Sequence, residues 1–273
     1  MAEASSENVD LGGAISRRSA PPIPGLFFDP SLLLPTDLAE SALRSCMSSF
    51  FGGGGGSSGV NQVMLFGRAG HESGSLSVFP PFLSELLAAA SALLLRHPTL
   101  PRETHAMLFP PTTPHEHGHE DVPRAARQAI INLYRPGEGI APHVDLLRRF
   151  GDGIVGVSLG DGGVPMRFAR AAEPREKSEE DGHGEDGEYD VWLPSRSVLV
   201  LTGEARYEWT HGIAPRVRDK VEDEVGGSGW HWRERGVRVS ITFRWLLPGA
   251  DIVGGDSISD DGGDNHQTEE NIG

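Results

Sequence analysis

Cys46 is the only cysteine among 273 residues. No disulfide can form within the chain, and a reducing intracellular setting, cytoplasm or nucleus, is expected. Long apolar runs are missing too. The longest, Leu86–Leu95, is about half of the ~20 residues a bilayer-spanning helix needs. Met1–Asp10 is polar and acidic and does not read as a secretory leader, so no membrane association is expected. Hydrophobic residues are scarce at 37%, whereas Gly (36) and Pro (20) are plentiful. That balance argues against a helical bundle and for a loop-rich β domain with extensions.

A basic body is also lacking. The net charge is −15, and its location matters. Glu173–Asp190 carries nine acids against Arg175 and Lys177, and Asp251–Gly273 carries seven acids with no Lys or Arg. These two segments hold nearly all of the excess, and the rest of the chain is close to neutral. The pattern neither demands nor forbids a nucleic-acid partner. No Lys-Ser/Thr follows the glycine run Gly52–Gly56, so that run is a flexible linker and not a phosphate-binding loop.

What is present is a series of short β segments. Residues 1–21 read as a disordered tail, 22–248 as one domain with an acidic insertion at 171–190, and 249–273 as an acidic disordered tail. Within the domain, Pro22–Leu34 suggests an entry strand. Asp37 and Glu40 resemble a capping box opening a helix through Ser49. Asn61–Arg68 suggests a short strand, and Phe82–Arg96 a helix stopped before Pro98. His97–Pro123 reads as a Pro-rich loop. Its His115, His117 and His119 are a weak secondary metal candidate that reads more simply as a solvated loop. Further strands are expected at Ile130–Tyr134, Ile154–Leu159, Val164–Phe168, Val191–Leu193, Ser197–Leu201 and Gly236–Leu247, with a polar loop at Val217–Gly229. Eight or nine such strands suggest a closed or double-sheet β fold, with the early helices packed outside it.

The most informative stretch is INLYRPGEGIAPHVD, Ile131–Asp145. Pro136-Gly137 suits a type II turn between two strands of a hairpin. On the return strand, alternation puts His143 and Asp145 on one face. An imidazole beside a carboxylate supplies two ligands of a 2-His-1-carboxylate iron site. A third ligand should be a His on another strand, and His211, with Gly212 behind it to leave room, fits; taken alone it would be an ordinary core histidine. On Arg238–Trp245 the residues Arg238, Ser240, Thr242 and Arg244 share a face. That face either meets solvent or looks into a cavity, where two guanidiniums could grip the ends of a small dicarboxylate. Asn132 and Tyr134 share a face near His143 and offer hydrogen bonds to the same ligand.

Together the motifs Asn132-x-Tyr134, His143-x-Asp145, His211-Gly-Ile and Arg238-x-Ser-x-Thr-Phe-Arg244 resemble the AlkB family of Fe(II)- and 2-oxoglutarate-dependent dioxygenases, in the same order and over about Pro24–Leu247. The resemblance implies a mainly β double-stranded β-helix (jelly roll) with helices outside. It implies His143, Asp145 and His211 as iron ligands, and Asn132, Tyr134, Arg238, Ser240, Thr242 and Arg244 as 2-oxoglutarate ligands, with O2 as co-reactant. DNA-repairing members carry acidic residues just after the His-x-Asp. This chain has Leu146, Leu147, Arg148 and Arg149 there, which points away from DNA-base repair. The strings FGDGIVGVSLG and GEARYEWTHGI are similar to the branch that hydroxylates wobble uridines in transfer RNA, here as a stand-alone oxygenase domain.

The expected activity is therefore oxidative hydroxylation or dealkylation of a modified or alkylated base, in RNA before DNA. The alternatives are an oxygenase acting on protein or a small molecule, and a β-domain binding module without turnover. Phe66 and Arg68, in the segment where the family's lid begins, are candidate substrate residues, Phe66 by stacking on a base. Arg68, Arg148 and Arg149 are candidate phosphate contacts.

Overall fold

In the computed structural model, residues 13–52, 61–67, 79–109, 127–171, 187–224 and 229–247 are described. Two antiparallel sheets face each other. The larger has the order β1 (Leu26–Leu33), β8 (Ser197–Leu201), β5 (Phe150–Gly160), β12 (Arg238–Leu246), β3 (Arg127–Tyr134), β2 (Gln62–Gly67). The smaller has the order β4 (Ile140–His143), β9 (Trp209–Ile213), β6 (Val164–Arg170), β7 (Tyr189–Leu193). This is the jelly roll expected from the sequence. A separate hairpin, β10 (Arg218–Glu222) and β11 (Trp230–Glu234), lies between β9 and β12 in the chain.

Strand alternation sorts the interior. Val239, Ile241 and Phe243 of β12 point outward with Ile131 and Leu133 of β3. They pack under helices α1 (Thr36–Cys46) and α2 (Pro81–Leu94), whose buried Ala39, Ala42, Leu83, Leu86 and Ala90 complete the layer. The opposite faces of the same strands look toward the smaller sheet. There Ile154, Leu199 and Leu201 meet Phe168, Val191, Leu193 and Trp209. The inter-sheet layer is apolar at that end and opens into a cavity at the other.

Cys46, the last residue of α1, is fully buried, and burial pushes its thiol up to about 12. A folded-state value above the unfolded value means that this group's stability contribution is intact below pH ~9 and is lost as pH rises toward 12. Native protein at pH 8 is expected to leave an aromatic disulfide reagent unreduced, with one thiol appearing per chain on denaturation. A fast native reaction would contradict the burial.

Several expectations need correction. The segments β3 and β4 are not a hairpin. The Pro136-Gly137 turn exists, with Gly137 at φ 89° and Glu138 N–H donating to Arg135 O at 3.0 Å, but it carries the chain from the larger sheet to the smaller one, where β4 pairs with β9. No capping box forms. Pro35 precedes α1 without a side-chain cap, and Asp37 lies inside the first turn, where it complements the helix dipole. Val217–Gly229 is not simply a loop, since β10 occupies its first half. Alternation of buried Asp219 and Val221 with charged neighbours marks that strand. Part of His97–Pro123 forms α3 (Arg102–Leu108), and α4 (Gly203–Tyr207) follows β8. Residues 13–21 are placed against the fold: Ser16 is buried, bridging to Val221, and Arg17 bridges to Val191. Tyr189 and Asp190, assigned to the acidic insertion, already belong to β7. Most of that insertion, the C-terminal acidic segment, the three alternating histidines and Arg68 lie outside the described residues. Among the described residues no helix is long and apolar enough to cross a membrane.

Candidate active site

Antiparallel pairing of β4 with β9 puts His143 opposite His211, and their rings lie 4.5 Å apart between centroids. The β4 strand ends at His143, so Asp145 does not join them through strand alternation. It sits in the following turn, and two arginines fix it. Arg206 of α4, fully buried, donates to the carbonyls of Asp145 (3.0 Å), Leu146 (3.4 Å) and Phe150 (3.5 Å). Arg244 Nη1 lies 2.6 Å from Asp145 Oδ1. With the turn pinned in this way, the ligand atoms of His143, Asp145 and His211 all fall within 4.8 Å of one another, the metal-type cluster found among the described residues.

The donor set suits a divalent cation. His143 Nδ1 is 2.8 Å from the Ala141 carbonyl. A carbonyl can only accept, so Nδ1 is the protonated donor, and Nε2 is the nitrogen that the neutral tautomer offers to a metal. Burial, opposed by Asp145 and reinforced by His143, Arg206 and Arg244, pushes His211 down to about 4, which leaves it neutral at pH 7. Asp145 Oδ2 is buried without a hydrogen-bond partner. An orphaned carboxylate oxygen between two free imidazole nitrogens is costly unless a cation meets it.

Gly212 also matters. A Cβ there would come within 2.8 Å of Pro142 Cα and N on the neighbouring β4. Gly212→Ala is expected to push β4 away from β9 and separate the two imidazoles. Metal affinity should fall roughly 10–100-fold, as when other supporting contacts of a metal site are lost. Titration with Mn(II) measures it, and unchanged affinity would show that β4 tolerates the methyl.

The cavity beside the three ligands has a volume of about 490 Å³. Asn132, Tyr134, Arg238, Ser240, Thr242 and Arg244 all line it, so the polar face of β12 looks inward. Arg238 is buried, donates through Nε to Ser158 Oγ at 2.9 Å and keeps Nη1 unpartnered. Its guanidinium lies 5.5 Å from the Tyr134 ring centroid, and no acid pairs with it among the described residues. Burial pushes it down to about 10, so it stays charged at neutral pH. A buried cation without a counter-ion is a receptor for a carboxylate. At the other end of β12, Arg244 donates to Gln128 Oε1 (3.1 Å) and covers the Phe150 ring at 3.9 Å. Burial, opposed by Asp145, holds it below the usual arginine range.

Sequence reasoning missed Gln128, Ser158, Gln62 and Arg206. Extending the alternation of Asn132 and Tyr134 back along β3 reaches Gln128, and the same step along β5 gives Ser158. Gln62 Nε2 donates to Asn132 Oδ1 at 2.7 Å. Nothing local in the sequence marks Arg206. Of the candidate substrate residues, Phe66 packs on Phe150 and Leu246 and does not line the cavity. Arg149 does line it, with Leu146 beside it.

The family model described as 2OG-Fe(II) oxygenase superfamily matches residues 70–244. The mouse tRNA (carboxymethyluridine(34)-5-O)-methyltransferase ALKBH8 is 40% identical over 126 residues, which cover 43% of this chain and 17% of the mouse protein. The N6-methyladenosine RNA demethylase ALKBH of Cryphonectria parasitica is 26% identical over 162 residues, covering 55% of this chain and 66% of the fungal one. The chain thus matches a small part of the first relative and about two thirds of the second. Among solved structures, a Pseudomonas putida prolyl-4-hydroxylase superposes with a TM-score of 0.43 at 16% identity, over 81% of this chain and 92% of that one.

Proposed function

This chain belongs to the 2OG-Fe(II) oxygenase superfamily, within its AlkB family, and is a dioxygenase using Fe(II), 2-oxoglutarate and O2; from that premise we propose that it hydroxylates or dealkylates a modified or alkylated base in nucleic acid, RNA in preference to DNA. Bound in the site, the iron and 2-oxoglutarate supply dioxygen activation, with conversion of the cosubstrate to succinate and carbon dioxide and oxygen delivery to a substrate C–H. The remaining work falls to side chains. His143, Asp145 and His211 hold the metal, and Arg244 and Arg206 fix the Asp145 turn. Arg238 would receive a carboxylate of 2-oxoglutarate, with Tyr134, Ser240 and Thr242 lining the cavity beside it, and Asn132, steadied by Gln62, would offer a hydrogen bond to the same ligand. The apolar inter-sheet layer behind the cavity limits water.

The observation that carries this reading is the pairing of an orphaned Asp145 oxygen with an uncompensated Arg238 in one cavity. RNA is favoured because both relatives named above are, by their names, RNA-modifying proteins. The single buried Cys46 fits a reducing intracellular compartment. A protein or small-molecule substrate is the second reading, favoured by the near-neutral body.

Succinate formation, measured with unmodified and modified tRNA, methylated RNA and DNA oligonucleotides and peptides, tests the proposal. RNA is expected to stimulate turnover, with affinity falling steeply as salt rises. An N-methyl substrate should release formaldehyde, whereas hydroxylation at other carbons leaves an alcohol. Stimulation by peptide alone, insensitive to salt, would transfer the assignment to the second reading.

A further inference from the structure

Charge in the cavity is unbalanced. Its charged lining consists of Arg149, Arg238 and Arg244 against Asp145 alone. A divalent metal and a dicarboxylate cosubstrate cancel each other, so an excess of two positive charges remains when both are bound. Arg244 is occupied by Asp145, and Arg238 faces the cosubstrate in the reading above, on which this inference rests. Arg149 is left. It is half-buried, its Nε is buried without a hydrogen-bond partner, and no acid pairs with it among the described residues. A fixed cation in a partly enclosed cavity attracts an anion far more strongly than one on an open surface.

Arg149 is also held in place. It follows the metal-binding Asp145 by four residues, in the turn that Arg206 pins through three carbonyls. Its own N–H donates to Leu146 O at 3.3 Å, and its carbonyl accepts from Leu247 N–H at 3.0 Å. Met64 and Leu146, exposed by 51% and 63%, line the same cavity and offer apolar surface to an uncharged part of a ligand. We infer that Arg149 is a substrate-binding residue that receives an oxyanion, a carboxylate or a phosphate, carried by the substrate close to the carbon that is oxidised.

The test compares uridine, uridine 5′-monophosphate and 5-carboxymethyluridine, probes that share a core and differ in the oxyanion. Each is titrated calorimetrically into the 273-residue chain charged with Mn(II) and 2-oxoglutarate. At least one anionic probe is expected to bind about tenfold or more tightly than uridine, and the one that gains identifies phosphate or carboxylate as the source. The preference should disappear in Arg149→Met and persist in Arg149→Lys, which keeps the charge. Equal binding of all three probes, no binding by any of them, or a preference that survives Arg149→Met would overturn the inference. Wild-type protein that binds neither Mn(II) nor 2-oxoglutarate would instead overturn the oxygenase site itself, so the two failures are distinguishable.

Discussion

Arg238→Met is expected to cripple the use of 2-oxoglutarate while making the ligand-free protein more stable. The guanidinium is buried, with Ser158 as its hydrogen-bond acceptor and no acid paired with it among the described residues. A carboxylate docking there gains two charge-assisted hydrogen bonds at about 1.5–3 kcal/mol each. Losing at least ~3 kcal/mol should raise KM for 2-oxoglutarate roughly 100-fold or more. The folded protein without ligand, in contrast, bears the desolvation of an unpaired cation. A methionine of similar length fills the space without that cost, and gains of about 1–4 kcal/mol are typical when buried ionic groups are replaced by well-packed apolar ones. Succinate assays and calorimetric melting of the same variant give both numbers. An unchanged KM would remove Arg238 from the cosubstrate site, and a lower melting temperature would show that the arginine has a structural partner after all.

Asp219→Ala is expected to cause the largest loss of stability. Asp219 and Arg235 form a buried bidentate pair, with Nε–Oδ2 at 2.6 Å and Nη2–Oδ1 at 2.8 Å and side-chain exposures of 1% and 5%. Arg235 also donates to the Ala214 carbonyl at 2.7 Å, tying the β10–β11 hairpin to the end of β9. Removing only the acid leaves a buried guanidinium uncompensated, at about 3–5 kcal/mol. For a chain of this size that is a fall in Tm of roughly 6–20 °C. Replacing both partners, Asp219→Ala with Arg235→Met, should recover most of the loss because no bare charge remains. If the double variant melts no higher than the single one, the pair acts through something other than charge. Because the hairpin joins the strand bearing His211 to the strand bearing Arg238, the single variant should also weaken metal and cosubstrate binding.

The strands and the cavity face of β12 were legible in the sequence because alternation is a local signal. Arg238, Ser240, Thr242 and Arg244 line the cavity, as the period of two requires, and the same period puts Val239, Ile241 and Phe243 in the outer core. The pairing of β3 with β4 was misread because a type II turn looks alike whether it closes a hairpin or crosses between sheets. The His143–Asp145 pair was identified for a reason that does not hold. Its geometry depends on Arg206, 61 residues beyond Asp145, and no period or motif announces such a contact. The β10–β11 hairpin was missed because its strands mix charges and tryptophans and lack the apolar run that marks a core strand.

The strand order of the larger sheet bears on how the protein is made. The last strand among the described residues, β12, lies between β5 and β3, in the interior of the sheet. A ribosome must therefore deliver residues 238–246 before either neighbour gains its second partner. Until then β3 and β5 each present an unpaired backbone edge, the kind of surface that recruits other chains. Arg238 and Arg244, which line the cavity, thus arrive on the same strand that closes the sheet, and a nascent chain lacking that strand lacks both.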